Sequence, residues 1–404
     1  MRIPWKVLIL MICLAPEVLS AEPAAYVINT SAETLSKISL SSGAVSNDIL
    51  TLGSDIHCFP NQIIIRDTLA YVLLSGTSEI QIINLISVST VGWILLTPGS
   101  NPYWMAFLND RYVYVTLLTD DSLAKIDVDT RQVVKTVPTG RSPEGVVMYD
   151  NKAYIAITAY DFGTWSWGQG RVDVYDTETD SVIGQILVGK NPQFLDIDGR
   201  GRIHVSCTGD YASIPGMIYI IDPESDTVID SLAIGGQPGQ IAISPDNAAY
   251  LAAGGWTDNG EVLVYDALTA QIHHAGDNPL YVDSGATGAV AFQDSTVFIS
   301  TFGDRVLRLN AAGDKLDTYH AGDGPVHLDF NYLPGDANGD WDVNVADAIT
   351  LINYIFKSGD RPVWPAWRAD VNADGVINVG DVVYLIYYTF RGGARPQIGP
   401  TWIR

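Results

Sequence analysis

Positive charge is scarce in this 404-residue chain, where 23 Lys and Arg stand against 46 Asp and Glu for a net charge of −23. Such a surface repels nucleic acid and anionic membranes and favours cations. Cysteine is scarcer still: Cys13 lies in an N-terminal apolar run, which leaves Cys58 and Cys207. Two thiols far apart in sequence give no disulfide framework, so the chain must rely on a hydrophobic core, for which its 47% hydrophobic content suffices. After that first run no apolar stretch is long enough to span a bilayer. A glycine-rich phosphate loop and a nucleophile elbow are missing too. His57, His204, His273, His274 and His320 show no metal-ligand spacing.

The N-terminus is patterned for export. Arg2 and Lys6 precede an apolar run from Val7 to Leu14, and the small residues around Ser20 suit cleavage before Ala21. Residues 1–20 are expected to be a signal peptide and the remainder to be secreted, extracellular or bound to a cell surface.

Between residues 24 and 330 the chain repeats. Strand-like runs centred on Tyr26, Tyr71, Tyr114, Tyr154, His204, Tyr250 and Phe298 recur about every 40 to 50 residues. Each leads to a second run ending at a corner, at Leu40, Asn84, Asp127, Asp176, Asp222, Asp266 and Asn310. Asp and Asn suit such corners because their side chains accept from the backbone two residues on. A proline-led run precedes most copies, at Pro60, Pro102, Pro143, Pro192, Pro238 and Pro325, whereas the remaining block carries Ala286-Thr287-Gly288. Four short strands per block make one blade of a β-propeller, and seven blocks predict seven blades. The last proline-led run, 325–330, has no strands after it and the first Tyr run has no proline-led strand before it. The two termini are therefore expected to share a blade, which removes exposed sheet edges.

The carboxyl end changes character. Asp336, Asn338, Asp340, Asp342, Asn344 and Asp347 occupy positions 1, 3, 5, 7, 9 and 12 of a 12-residue loop, the spacing that wraps oxygen ligands around Ca²⁺. Asp370, Asn372, Asp374, Asn378 and Asp381 repeat it, with Val376 at position 7, where a backbone carbonyl serves. Each loop runs into an apolar helical pattern. Val345, Ile349, Ile352 and Phe356 match Val379, Val383, Ile386 and Phe390 at an offset of 34 residues. So small a unit is expected to pack these faces together around two metal ions.

This duplicated D-x-N-x-D pattern, closing on Asp, resembles the type I dockerin over residues 335–393. The resemblance implies Ca²⁺-dependent folding and docking onto a cohesin module. Positions 10 and 11, which carry partner choice in that family, are Val345-Ala346 and Val379-Gly380 here. Trp341 stands at position 6 of the first loop, where glycine is usual, so the first site is expected to be the weaker. The propeller blocks lack the Gly-His and Trp-Asp pairs of WD40 repeats and look instead like YVTN-type propellers, with Asp-x-x-Thr corners at Asp127, Asp176 and Asp266. Only residues 331–334 join the two parts, which predicts a fixed orientation, and 394–404 remain as a tail.

Function is expected at two further places. Loops after three successive Tyr-type runs are enlarged and carry Trp165, Trp167, Tyr211 and Trp256, a candidate face for a protein or glycan ligand. Glu144, Gln193, Gln240 and His327 follow the proline markers and are candidates for a polar ring at the channel mouth. The sequence supports a secreted, monomeric binding or scaffolding protein with no assigned catalytic residue. The alternative is a tethered polysaccharide-active hydrolase or lyase, which needs two placed carboxylates.

Overall fold

The computed structural model describes residues 22–253, 259–282, 284–310 and 312–403. Among these residues seven antiparallel sheets of four strands form a ring, and one sheet carries an extra short strand, Leu280–Val282. The seven innermost strands are Pro60–Arg66, Pro102–Phe107, Pro143–Tyr149, Pro192–Ile197, Pro238–Ile243, Ala286–Ala291 and Pro325–Phe330, each in contact with the next. Proline is tolerated there because it opens the strand, where no ladder hydrogen bond is required of it. Closure follows the sequence order: Pro325–Phe330 pairs antiparallel with Ala24–Asn29, whose other neighbour is Thr34–Ser39. The Asn331 side chain fastens the seam by accepting from Ala24 N (2.8 Å) and donating to the Glu22 carbonyl (3.0 Å).

Second strands such as Leu69–Leu74, Tyr112–Leu117 and Lys152–Ile157 are buried on both faces, and they fill the spaces between blades with Tyr114, Tyr154, Val115 and Ile155. Outermost strands stay wet, as Gln132–Pro138 does along almost its whole length. The corners close as the side-chain chemistry requires: Asn84 accepts from Ile86 and Ser87, Asp127 from Thr130, Asp176 from Glu178 and Thr179, and Asp266 from Thr269. Threonines then stitch blade to blade, with Thr116 donating to the Glu144 carbonyl (2.6 Å), Thr208 to that of Pro238 (2.7 Å) and Thr287 to that of Pro325 (2.7 Å).

One irregularity recurs with functional effect. Register shifts interrupt the pairing just inside the inner strands, between Pro60 and Gln62, Pro102 and Met105, Pro143 and Val146, Pro192 and Phe194, Pro238 and Ile241, and Ala286 and Gly288. A bulge leaves the extra residue unpaired and re-aims its side chain. Residues after most of the prolines, Asn61, Tyr103, Trp104, Gln193, Phe194 and Gln240 among them, thereby line the channel mouth, whereas Glu144 after Pro143 does not.

Two helices complete the chain, α1 (Val345–Lys357) and α2 (Val379–Arg391). Both start in a capping box: Asn344 and Asn378 accept from the first turn, while Asp347 and Asp381 reach back to the cap backbone. The helices meet through Ala348, Leu351, Val382 and Leu385, with Ala337, Ala369 and Val371 from the loops. The expected face-to-face packing of the matched sets is not what forms. Val345, Ile349, Phe356, Val379, Val383, Ile386 and Phe390 are all exposed, and of the two sets only Ile352 is drawn against the core. The residues one position earlier on each helix, Ala348 and Leu351 on α1 and Val382 and Leu385 on α2, form the apolar row that meets the partner helix, and this rotation of about one residue leaves the matched stripe outside.

Neither helix is long and apolar enough to cross a membrane. The helical module sits at the end of the ring from which Phe330 emerges, and it is clamped there. Tyr332, Trp367 and Ile398 join Phe292, Phe298 and Phe330 in one buried cluster, with Trp341 and Trp364 at its margin. Residues 394–403 return across the same end: Ile398 N donates to Asp110 (3.3 Å), Arg395 pairs with Asp67 (3.3 Å), and Trp402 packs beside Tyr149 and Leu108.

Candidate functional sites

The two acidic loops show how an oxygen site is preassembled. Asp336, Asp347, Asp370 and Asp381 are fully buried. Asp336 collects the N–H groups of Gly339 (2.7 Å), Asp340 (3.1 Å) and Trp341 (3.0 Å), and Asp370 those of Asp374 (3.2 Å) and Gly375 (2.9 Å). Asp347 accepts from Asn338 and Asn344, Asp381 from Val371 and Asn378. Burial raises all four carboxyls above their usual range, Asp347 and Asp381 to about 6, and neighbouring acids add to the shift. A cation among these oxygens offsets that cost.

The donor set fits calcium: its oxygens come from carboxylates, amides and a backbone carbonyl, with no imidazole or thiolate among them, which suits a hard, many-coordinate ion rather than zinc. Asn344 and Asn378 accept from Ala346 N (2.7 Å) and Gly380 N (2.6 Å), so the position-9 side chain of each loop also caps the helix that follows.

The loops differ where the sequence flagged a difference. Trp341 has φ +67°, matched by Gly375 at +87° in the second loop, so the left-handed turn is kept at a cost for the bulky residue. The indole offsets that cost by stacking on Tyr332 at 5.7 Å, with the Arg368 guanidinium over both rings. Arg368 is fully buried, ion-paired to Asp336 and donating to Gln293 of the propeller at 2.7 Å. It had no signal in the loop spacing, because it lies outside both loops. It places a positive charge on the first ligand of loop 1.

At the other end of the ring the channel opens into a cavity of about 830 Å³. Its rim and walls include Asn61, Tyr103, Trp104, Gln193, Phe194, Gln240 and Thr287 from the bulged inner strands, with His57, Phe59, Thr208, Tyr211, Gln237 and Phe302 from neighbouring loops. Gln193 bridges Thr208, from which it accepts (2.8 Å), and Tyr211, to which it donates (3.3 Å). His57 and Phe59 stack on each other at the rim with φ of +61° and +46°, an expensive backbone for side chains of this size.

Of the four residues expected to form a channel ring, Gln193 and Gln240 line this cavity while Glu144 and His327 are buried out of it. Glu144 is 9% exposed, and burial pushes its carboxyl up to about 8 despite a hydrogen bond from Tyr103; Oε2 has no partner among the described residues. His327 is held neutral by burial, its pKa lowered to about 3, and packs edge-on to Trp104. Asn61, Tyr103, Trp104 and Thr287 escaped the sequence reading, although each sits one or two places past the same strand start as Gln193 and Gln240.

The expected aromatic face divides. Trp167 lies 4.9 Å from Tyr160 and 5.5 Å from Tyr211, continuing a row of rings down to the cavity. Trp165 occupies the tip of the Tyr160–Asp161 and Ser166–Trp167 hairpin and is 76% exposed. Trp256 lies outside the described residues, as does the expected signal peptide, residues 1–20. Cys58 and Cys207 are both free and buried.

Residues 334–388 match the family model of the dockerin type I domain. No curated protein matches the chain. Among solved structures, the propeller is similar to the hydrazine synthase of Kuenenia stuttgartiensis, with a TM-score of 0.57 and 15% identity over 69% of this chain and 91% of that one. It is similar as well to a chain of a mitotic checkpoint complex, with a TM-score of 0.54 and 10% identity over 68% and 81%. Virginiamycin B lyase from Staphylococcus aureus gives 0.51 and 14% over 64% and 83%. At these identities the likeness shows the propeller fold alone.

Proposed function

We propose that this chain is a secreted binding protein that docks on a cohesin-type partner through its dockerin module and presents the propeller mouth to a ligand. Dockerin type I domains bind Ca²⁺ in general, and proteins that carry them are typically extracellular or on the cell surface. Two calcium sites are proposed here, formed by the residues of positions 1 to 12 in each loop, with loop 1 the weaker because Arg368 already neutralises Asp336.

The observation that carries the docking assignment is the exposed stripe on both helices. Val345, Ile349 and Phe356 on α1 and Val379, Val383, Ile386 and Phe390 on α2 lie in solvent beside Ala346 and Gly380, at the end of the molecule away from the mouth. Contiguous exposed apolar surface of this kind marks an interaction site. Calcium acts on it indirectly, because the metal loops set the start of each helix and thereby the spacing of the two stripes.

A non-catalytic propeller is favoured by the cavity's chemistry. Glu33 is the one carboxylate among its described lining residues, and it accepts from Cys58 N at 2.6 Å. Glycoside hydrolysis requires a pair. Docking is tested by placing charge on the stripe: Val383→Asp together with Phe390→Asp should abolish capture by type I cohesins while the melting temperature stays within a few degrees, because neither side chain belongs to the core. Undiminished capture would move the interface elsewhere.

A further inference from the structure

We infer that the cavity at the propeller mouth is a binding site for a short neutral saccharide; this rests on the proposal that the propeller is a binding module. Three observations converge on that ligand class. The first is shape: about 830 Å³ in a concave mouth is within the range of small-molecule sites.

The second is charge. In a chain of net charge −23, the described lining offers His57 and the already engaged Glu33 as its only ionisable groups besides the two tyrosines. Glu144, directly behind Tyr103, is kept protonated at neutral pH by burial, so the floor brings no charge either. An anionic ligand would find no guanidinium or ammonium here, and a metal ion no set of acids.

The third is the pattern of the polar groups. Asn61, Gln193, Gln237 and Gln240 each present an amide that both donates and accepts, as a sugar hydroxyl does, and Thr208 and Thr287, whose protons go to backbone carbonyls, add acceptor oxygens. They stand between the rings of Phe59, Tyr103, Trp104, Phe194 and Tyr211, flat apolar surfaces suited to the C–H faces of a pyranose. Trp104 is held edge-on to Phe194 at 5.1 Å and to His327 at 5.2 Å, so its ring is fixed before any ligand arrives. Preorganised rings and amides without a charge recognise a ligand that is itself rigid, hydroxylated and neutral.

Titration calorimetry on the full chain in calcium, with cellotriose, xylotriose, mannotriose and galactotriose as neutral probes and tri-galacturonate and a neutral tripeptide as controls, tests this. At least one neutral trisaccharide should bind, tri-galacturonate should not, and Gln193→Ala and Tyr211→Ala should each weaken the bound saccharide more than tenfold with unchanged melting. Binding of the charged sugar or of the tripeptide alone, binding of none, or full binding by both variants would overturn the assignment. Cohesin capture measured on the same preparations separates the outcomes, because capture without saccharide binding rejects this inference and leaves the docking proposal standing.

Discussion

Glu144 carries a proton that the unfolded chain would release. Its folded pKa of about 8 lies above the ordinary glutamate value, so below the unfolded pKa it contributes stability that is lost as pH rises through 8. Asp329 has the same sign, pushed by burial to about 7 while accepting from Ile65 N at 2.7 Å. His327, lowered to about 3, works the other way but only below its unfolded pKa. The clearest window is therefore pH 6.5 to 8, measured in millimolar calcium so that the loop carboxyls, of which Asp347 and Asp381 are raised to about 6, contribute least. Stability there should fall on the order of 1–2 kcal/mol per group. Glu144→Gln should remove the larger part of that slope while leaving the structure intact. Melting curves across this window check it, and an equal slope in the variant would show that Glu144 is ionised in the native protein.

At the scale of elements, the module and the propeller share Arg368. Replacing it with Met would leave Asp336 buried beside a neutral side chain, a loss of about 3–5 kcal/mol for a buried pair broken on one side. Calcium at loop 1 should recover much of it, because the ion then faces Asp336 without a competing guanidinium. Calorimetric melting of Arg368→Met in chelator and in millimolar calcium reads this: a large gap between the two is expected, and equal melting in both would mean loop 1 holds no ion. The period of the blades, the shared closing blade and the two loop-helix units were legible in the sequence because each is written in local spacing. The helix faces were misassigned because periodicity marks an apolar stripe without saying whether a partner inside or outside the chain covers it. Arg368 and the tail were invisible for a related reason: their partners, Gln293, Asp110 and Asp67, lie far away in sequence. At the mouth, Gln193 and Gln240 could be placed from the proline markers, whereas Tyr103 and Trp104 required the bulge that turns them.

Across the whole molecule, the two proposed surfaces lie at opposite ends of one channel. The tail and the 331–344 segment cross the end that faces the helices, with Trp402, Ile398 and Tyr332 packed on the blades, so the module is held as part of the propeller's base. Docking through the exposed helix stripes then leaves the mouth open. Titration of the full chain with a panel of type I cohesins, in millimolar calcium and again in excess chelator, tests calcium-dependent docking most directly. The account predicts saturable one-to-one binding to at least one cohesin in calcium and its loss in chelator. Binding that survives chelation, or no binding to any cohesin in calcium, would contradict it.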